Sequence, residues 1–203
     1  MNRLRLLIRK LYKIYRSIFT RYYAFRAGLT YDRTWTISKR MYVVRPNKFH
    51  DQGEIKIGHY FQAQGNLKQN LFGIIQPVIL QVGVAAKLHI GDNVGISGST
   101  ISATQEITIG NNVLIGSGCV ICDSDAHPLN PLERDRPERT HRSPIIIEDN
   151  VFIGARTIVL KGVTIGANSV IGAGSIVSKS IPCNVIAAGN PCIVIRSLNK
   201  NEN

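Results

Sequence analysis

From Pro144 to Pro182 the chain reads PIIIEDNVFIGARTIVLKGVTIGANSVIGAGSIVSKSIP. Every sixth position of this stretch holds an aliphatic residue, namely Ile147, Ile153, Val159, Ile165, Ile171 and Val177. A helix repeats every 3.6 residues and a strand every two, so neither produces a spacing of six. A parallel β-helix does, because each hexad forms one short strand and one turn and so adds one wall to the coil. We therefore expect these aliphatic side chains to point into such a coil.

The earlier hexads are less regular. They form one register at Val78, Val84, Ile90 and Ile96, and a second register, after a one-residue slip near Ser102, at Ile109, Ile115 and Ile121. The end coils of a solenoid also cap its core and are often irregular. We therefore divide the chain into a basic N-terminal helix at 1–30, irregular N-terminal coils at 31–77, a β-helix at 78–182, and a C-terminal cap and tail at 183–203.

The hexads are interrupted between Asp123 and Ser143, where the chain reads DSDAHPLNPLERDRPERTHRS. This segment is polar, rich in proline and charge, and without aliphatic periodicity, which is typical of a loop. We assign an extruded loop at 123–144. A long insertion into a strict solenoid usually serves function, because repeats tolerate insertions only at exposed corners.

The basic charge is concentrated near the N-terminus. The 203 residues are 44% hydrophobic and 19% charged, which is typical of a folded soluble body, and their formal net charge is +12. Eight of the basic residues lie in the first 31 positions, where there is no Asp or Glu. Because these cations follow one amphipathic helix rather than a folded face with stacking aromatics, we do not expect nucleic acid as a partner.

The N-terminal segment is predicted to be a basic amphipathic helix. Apolar residues recur with helical spacing from Leu4 to Phe25, and the basic residues lie mostly on the other face. No uncharged run approaches the roughly 18 residues that a spanning helix needs, and Arg9, Lys10 and Lys13 interrupt any signal-peptide core. We expect residues 1–26 to lie on an anionic membrane; the alternative is that the apolar face packs on the body or on a neighbouring subunit.

The four cysteines do not form a metal framework. Cys119 and Cys122 make a CxxC, but Cys183 and Cys192 are too far apart to form the second pair of a zinc ribbon. Cys119 also occupies the small-residue position of a hexad, which indicates interior packing. The cysteine spacing thus predicts no metal. Unpaired thiols are typical of a reducing cytoplasm, so we expect a cytoplasmic protein. Its basic N-terminal helix would make it peripheral on the cytoplasmic face of the inner membrane.

The hexads, the D-x-H-P sequence at Asp125–Pro128 and the ending IGAGSIVSKSIP…VIAAGNPCIVIR together resemble the hexapeptide-repeat acyltransferases. Within that superfamily the chain is most similar, over residues 78–198, to the branch of galactoside/maltose acetyltransferases and polysaccharide O-acetyltransferases. The resemblance implies an all-β fold, a left-handed parallel β-helix with three hexads per triangular turn. It also implies a homotrimer with active sites between neighbouring subunits, and acetyl-CoA as the acetyl donor.

The same resemblance places the catalytic histidine at His127. A sugar hydroxyl attacks a thioester poorly unless a base removes its proton, and histidine can do this near neutrality. Asp125 is expected to orient the imidazole, with Asp123 or a backbone carbonyl as alternatives, and His141 is the second candidate for the base. His50, His59 and His89 are expected to satisfy local hydrogen bonds.

The donor site is carried over in the same way. The matching positions are Ala155, Ala173, Ser178, Lys179 and Arg196. Small corner residues would let a pantetheine arm lie against the backbone, and the two cations would pair with the nucleotide phosphates. Where this family often has a basic residue in its ending, this chain has Ile193, so the resemblance does not extend to a phosphate contact at this position.

These observations predict an acetyl-CoA-dependent O-acetyltransferase that acts on a sugar hydroxyl of a cell-surface polysaccharide or its lipid-linked precursor. Direct transfer is expected, because no serine or cysteine stands in a recognisable nucleophile setting. An amino-sugar N-acetyltransferase is the alternative. A metal-dependent hydratase on the same scaffold is a further alternative, which the scattered histidines disfavour. A non-enzymatic solenoid is another, which the D-x-H-P loop disfavours.

Overall fold

The computed structural model describes residues 2–26, 29–30, 32–37, 41–46, 51–66, 73 and 75–198. One helix, α1 (Asn2–Arg26), precedes a series of short strands. In chain order the strands are β1 (Thr36–Ile37), β2 (Met41–Val44), β3 (Glu54–Ile57), β4 (Gln62–Gln64), β5 (Val78–Val82), β6 (Lys87–Ile90), β7 (Gly95–Ser97), β8 (Thr100–Ala103), β9 (Glu106–Ile109), β10 (Leu114–Ile115), β11 (Val120–Cys122), β12 (Ile145–Ile147), β13 (Phe152–Ile153), β14 (Ile158–Val159), β15 (Thr164–Ile165), β16 (Val170–Ile171), β17 (Ile176–Val177), β18 (Val185–Ala188) and β19 (Ile193–Ser197).

From β1 to β17, every third strand joins the same sheet. Sheet A has the order β1-β4-β7-β10-β13-β16-β18-β19, sheet B the order β17-β14-β11-β8-β5-β2, and sheet C the order β15-β12-β9-β6-β3. All pairs are parallel except β18 with β19, which closes sheet A with an antiparallel strand. As far as β17, strands that follow one another in sequence therefore lie in different sheets, and three of them complete one coil. The chain forms the left-handed parallel β-helix that the hexads and the family resemblance predict.

The hexads fill the interior as expected. The six aliphatic residues that define the spacing between Ile147 and Val177 are each fully buried, and so are Thr157, Ser169 and Ser175 at the small positions. The prediction for Val84 is wrong, because this side chain is 53% exposed. Strand β5 is five residues long and its alternation already buries Val82, so Val84 falls in the turn that follows.

An asparagine ladder holds the corner between sheets C and A. Each Nδ2 donates to the Oδ1 of the asparagine one coil further on, over 2.9–3.1 Å. The ladder consists of Asn93, Asn112, Asn150, Asn168 and Asn184, all with φ between +55° and +60°. Asparagine suits this position because it tolerates the left-handed conformation and its amide can bond along the stack.

Helix α1 contacts the coil through its C-terminal half. Thr20 and Ala24 are buried, and the amide of Ile37 in β1 donates to the Thr20 hydroxyl over 3.1 Å. On the other side of the helix, apolar residues such as Ile14 and Ile18 are more than half exposed. The side chains of most of its basic residues lie outside the described part. In the described ranges, no helix combines the length and apolarity that a bilayer span requires.

Candidate active site

The loop between β11 and β12 leaves the corner between sheets B and C and is fixed at its base. Asp123 is fully buried, and its carboxylate accepts hydrogen bonds from the Thr104 hydroxyl and from the amides of Thr104, Gln105 and Glu106, over 2.7–2.8 Å. A buried carboxylate is stable only when it is bonded in this way. Asp123 therefore ties the first residue of the loop to the preceding coil and is fully engaged there.

Two further contacts close the neck of the loop. Ser124 and Arg142 form an antiparallel bridge, and the amide of Asp125 donates to the carbonyl of His141 over 3.2 Å. Beyond the neck the loop contains two short 3₁₀ turns, at Pro131–Glu133 and Pro137–Arg139. The segment that carries His127 thus begins at a rigid point of the coil.

His127 stands on a tight turn at the start of the loop. Its amide donates to the carbonyl of Asp125 over 2.7 Å, and the residue between them, Ala126, has φ +62°. A three-residue turn with a positive φ at its centre is rare and strained. The side chain of His127 is exposed and makes no hydrogen bond within the described part of the chain. It is therefore accessible to a substrate.

The carboxylate of Asp125 is held from the coil. Its Oδ1 lies 2.5 Å from the Nζ of Lys161, and the two side chains are only 20% and 24% exposed. Its Oδ2 is buried and has no hydrogen-bond partner among the described residues. Sequence reasoning did not find Lys161, which stands 36 positions away in sequence.

Two of the predicted donor positions lie on another corner. Ala155 and Ala173 occupy the corner between sheets A and B in successive coils, and both line a groove of about 530 Å³ on the outer face of sheet A. Leu114, Phe152 and Val170 form its apolar floor. A Cβ on Gly154 would lie 2.5 Å from the amide nitrogen of Ala173, so only glycine allows the coils to stack here.

The remaining donor positions are separate from these two. Ser178 and Lys179 lie at the corner between sheets B and C, on the same edge as the loop of His127, and both are exposed. Arg196 is exposed on β19, where its Nη1 donates to the carbonyl of Ser197 over 3.2 Å. Within one chain, the structure therefore groups Ser178 and Lys179 with the loop, and Ala155 with Ala173.

The other histidines make local pairs or lie apart. His59 Nδ1 is 2.7 Å from Asp32, and His89 Nε2 is 2.6 Å from Glu54. The hydroxyl and the amide of Thr34, followed by His59, hold the pKa of Asp32 below its ordinary value. The pKa of Glu54 is lowered by its hydrogen bonds from Lys56 and then His89. The side chain of His141 is exposed, and His50 lies outside the described residues.

Two cysteines, Cys119 and Cys192, are buried in this structure. Cys119 is fully buried, its Sγ is 3.2 Å from the carbonyl of Gly154, and burial raises the pKa of its thiol. Cys122 lies at the neck of the loop with its Sγ 3.4 Å from the carbonyl of Ser124. Across the described ranges, no three His, Cys, Asp or Glu side chains form a group that could hold a metal ion.

Comparison with known proteins identifies similar chains. The family model described as the hexapeptide repeat of succinyl-transferase matches residues 144–179. The chain is 45% identical to the galactoside O-acetyltransferase of Escherichia coli K12 over 127 residues, which are 62% of this chain and 61% of that protein. It is 46% identical to the galactoside O-acetyltransferase of Lactococcus lactis over 103 residues, 51% of this chain and 49% of that protein. The chain thus spans about half to three fifths of the length of these two relatives.

A solved structure extends the match. The maltose O-acetyltransferase of Clostridium difficile 630 superimposes with a TM-score of 0.54 at 32% sequence identity. The match covers 72% of this chain and 68% of that chain. The similarity therefore extends over more than two thirds of each chain.

Proposed function

This chain belongs to the hexapeptide-repeat acyltransferases, in the branch of galactoside and maltose acetyltransferases, and we propose that it transfers an acetyl group from acetyl-CoA to a hydroxyl of a saccharide. The observation that carries the proposal is the setting of His127. Its imidazole is exposed, while its backbone is held on a tight turn at the base of a fixed loop. A general base needs both access to its substrate and a defined position.

His127 is the proposed base of a direct transfer. Acetyl-CoA supplies the activated thioester. The imidazole of His127 takes the proton of the acceptor hydroxyl as the new C–O bond forms at the acetyl carbon. It then delivers this proton to the sulfur as the C–S bond breaks, so that the thiol leaves neutral and His127 returns to its starting state. The buried Oδ2 of Asp125 is free to accept a hydrogen bond from the other ring nitrogen.

The donor fits the groove at Ala155 and Ala173. The methyl side chains of Ala155 and Ala173, beside Gly154 and Gly172, leave the groove open to an extended amide-containing arm. The exposed cations Lys179 and Arg196 are the proposed partners of the nucleotide phosphates, and Ser178 offers a hydroxyl beside Lys179.

We propose that a complete site forms between subunits of a homotrimer. The loop of His127 and the groove at Ala155 lie on different corners of one coil. The outer faces of sheets A and B expose apolar side chains, including Phe152 and Ile158, whereas the face of sheet C carries charged residues such as Glu54. Two apolar faces and one polar face suit a ring of three subunits.

Light scattering after size exclusion tests this assembly. We expect the wild-type chain to elute as a trimer and Phe152→Glu to elute as a monomer, with Glu106→Lys on sheet C as the matched control that remains trimeric. A wild-type chain that is monomeric at micromolar concentration would contradict the proposed trimer.

We further propose that α1 lies on the anionic surface of the cytoplasmic face of a membrane, near a polysaccharide precursor. Its exposed apolar residues, including Leu11, Ile14 and Ile18, lie on the side of the helix away from Thr20 and Ala24, which pack on the coil. The apolar stripe therefore faces away from the β-helix, as a helix lying in a headgroup region requires.

Flotation with phosphatidylglycerol vesicles tests the membrane contact. The wild-type chain should float with them and much less with neutral phosphatidylcholine vesicles, and Ile14→Glu with Ile18→Glu should abolish flotation. Val84→Glu, an exposed apolar position on the coil, is the control and should float like wild type. If the double variant Ile14→Glu with Ile18→Glu floats as well as Val84→Glu, the membrane contact is contradicted. If the double variant instead loses a higher oligomer that wild type forms, the apolar stripe contacts a second copy of this chain.

The activity is tested with purified protein, acetyl-CoA and a panel of galactosides, glucosides and amino sugars, by thiol release and product mass. We expect an acetylated sugar from which alkaline hydroxylamine removes the acetyl group, since esters react and amides resist. A hydroxylamine-resistant product formed only on amino sugars would instead identify an N-acetyltransferase. No thiol release with any acceptor would contradict the proposed function.

A further inference from the structure

Lys161 and Lys179 are equivalent residues that the structure uses differently. They are eighteen residues apart, which is one full coil of three hexads, and both lie at the corner between sheets B and C. Lys179 is exposed, whereas Lys161 is 24% exposed and paired with Asp125. Of these two stacked cations on the same edge, Lys179 is accessible to a substrate, whereas Lys161 forms an ion pair with the loop.

The pair joins the coil to the turn that carries His127. Lys161 belongs to a coil that follows the loop in sequence, while Asp125 belongs to the loop. The ion pair fixes Oδ1 of the carboxylate, which limits the rotation of the Asp125 side chain. From Asp125, the strained turn at Ala126 leads directly to His127. The backbone of His127 is therefore linked, through Asp125, to a contact that lies outside the loop itself.

The second carboxylate oxygen of Asp125 lacks a hydrogen-bond partner among the described residues. Oδ2 is buried and has no hydrogen-bond partner among the described residues, although a buried carboxylate oxygen without a partner is costly. Lys161 could satisfy only one oxygen at the observed geometry, and it contacts Oδ1. The remaining oxygen has the chemistry needed to accept the N–H of an imidazole and so to leave the other ring nitrogen unprotonated for the acceptor.

We propose that Lys161 is a positioning residue of the active site: it holds Asp125 by Oδ1 so that Oδ2 can orient the imidazole of His127. This inference rests on the proposed function, because the role of the imidazole is that of the general base in acetyl transfer. A simple structural ion pair would stabilise the loop and nothing more. The two roles differ in how they affect turnover, donor binding and coupling to Asp125.

Steady-state kinetics separate the two roles. Lys161→Met removes the cation but keeps the length of the side chain, and it should lower kcat about 10- to 100-fold, with the KM for acetyl-CoA within about twofold of wild type. Lys161→Arg keeps a charge-assisted hydrogen bond to Asp125 and should recover most of kcat. Lys179→Met is the contrast at the equivalent corner and should raise the KM for acetyl-CoA instead.

A double-mutant cycle tests whether Lys161 acts through Asp125. If it does, Lys161→Met adds little to the loss already caused by Asp125→Asn, so the two effects are far from additive. Additive losses, a change in kcat of less than about twofold, or no recovery in Lys161→Arg would each overturn the proposal.

Amide hydrogen exchange keeps the test independent of activity. The amides of Asp125 and His127 both donate hydrogen bonds at the base of the loop, to His141 and Asp125 respectively. Lys161→Met should accelerate their exchange, while the amide of Gly166 in the coil stays protected. If the wild-type chain shows no acetyl transfer, the proposed function fails, and unchanged exchange at Asp125 and His127 in Lys161→Met separately refutes the link from Lys161 to the loop.

Discussion

His127 donates its backbone N–H to the carbonyl oxygen of Asp125 over 2.7 Å, across a turn whose middle residue, Ala126, has φ +62°. The two residues that we propose for base catalysis are therefore joined by one strained three-residue turn. Asp125 is tied to the coil and His127 is exposed beyond it. The geometry of this turn therefore fixes the backbone position of His127.

The first prediction concerns this turn. Ala126→Val should lower kcat at least about tenfold, because a β-branched residue does not adopt a positive φ and the turn must rearrange. The melting temperature should change by only a few degrees, since Ala126 is an exposed loop residue outside the β-helix core. Steady-state kinetics and thermal unfolding of the purified variant measure the two effects.

Ala126→Gly is the matched control, because glycine adopts the same φ without strain. It should keep most of the wild-type kcat. Equal activity in the valine and glycine variants would mean that the turn does not position His127.

The second prediction concerns the asparagine ladder. Asn150 has φ +60°, accepts a hydrogen bond from Asn112 and donates one to Asn168. Asn150→Ala loses both bonds and places a Cβ in the left-handed region, so it should lower the free energy of unfolding by about 2 kcal/mol. Asn150→Gly loses the bonds without the strain and should cost about 1 kcal/mol. Urea unfolding measures both.

The order of these two variants is the informative result. If Asn150→Ala is as stable as Asn150→Gly, the left-handed conformation contributes nothing to the choice of asparagine. If both match wild type, the ladder does not stabilise the corner.

The third prediction concerns acid stability. Hydrogen bonds from Thr34 hold the pKa of Asp32 below its ordinary value of 3.8. A group whose pKa is lower in the folded state stabilises that state above the unfolded value, and this contribution is lost as the pH falls through the folded value. Asp32→Ala should therefore be less stable than wild type near neutrality, and the difference should shrink below about pH 3.8.

Thermal unfolding across this range measures the difference, with Asp135→Ala in the exposed part of the loop as the control. The control should follow wild type at every pH. A difference for Asp32→Ala that stays constant down to the acid limit would contradict the assigned cause.

The fourth prediction concerns the thiols. Cys183 is exposed, whereas Cys119 and Cys192 are buried and burial raises the pKa of both thiols. Because the thiolate is the reactive form, a disulfide reagent should modify Cys183 first, and Cys119 and Cys192 only on unfolding. Cys183→Ser should remove the fastest phase. A fast phase of unchanged amplitude in that variant would contradict the assignment of the fastest phase to Cys183.

The sequence predicted the coil well where the period of six is strict. Ile153 and Ile171 are buried as the hexads require, and the loop was located because the aliphatic spacing stops at Asp123. Val84 was misplaced because a long strand follows a period of two, which places Val82 inside and carries Val84 into a turn. The six-residue spacing thus predicts where the strands lie more reliably than where each strand ends.

The site was predictable only in part. His127, Ala155 and Ala173 were placed by the family resemblance that the D-x-H-P motif and the ending of the coil carry, and their roles stay predictions. The contact between Lys161 and Asp125 could not be predicted, because it joins positions 36 residues apart and depends on how the loop folds back to the corner. The groove on sheet A could not be predicted either, since Leu114 and Phe152 look like core residues in sequence yet are about half exposed.

The central claim is that His127 is the general base, and its most direct test is the kcat/KM of His127→Ala for acetyl transfer, with His141→Ala from the same loop as the matched control. We predict a loss of about 10²- to 10⁴-fold in kcat/KM for His127→Ala, with the KM for acetyl-CoA nearly unchanged and His141→Ala close to wild type. Retention of most of the activity by His127→Ala, or a comparable loss in His141→Ala alone, would contradict the account.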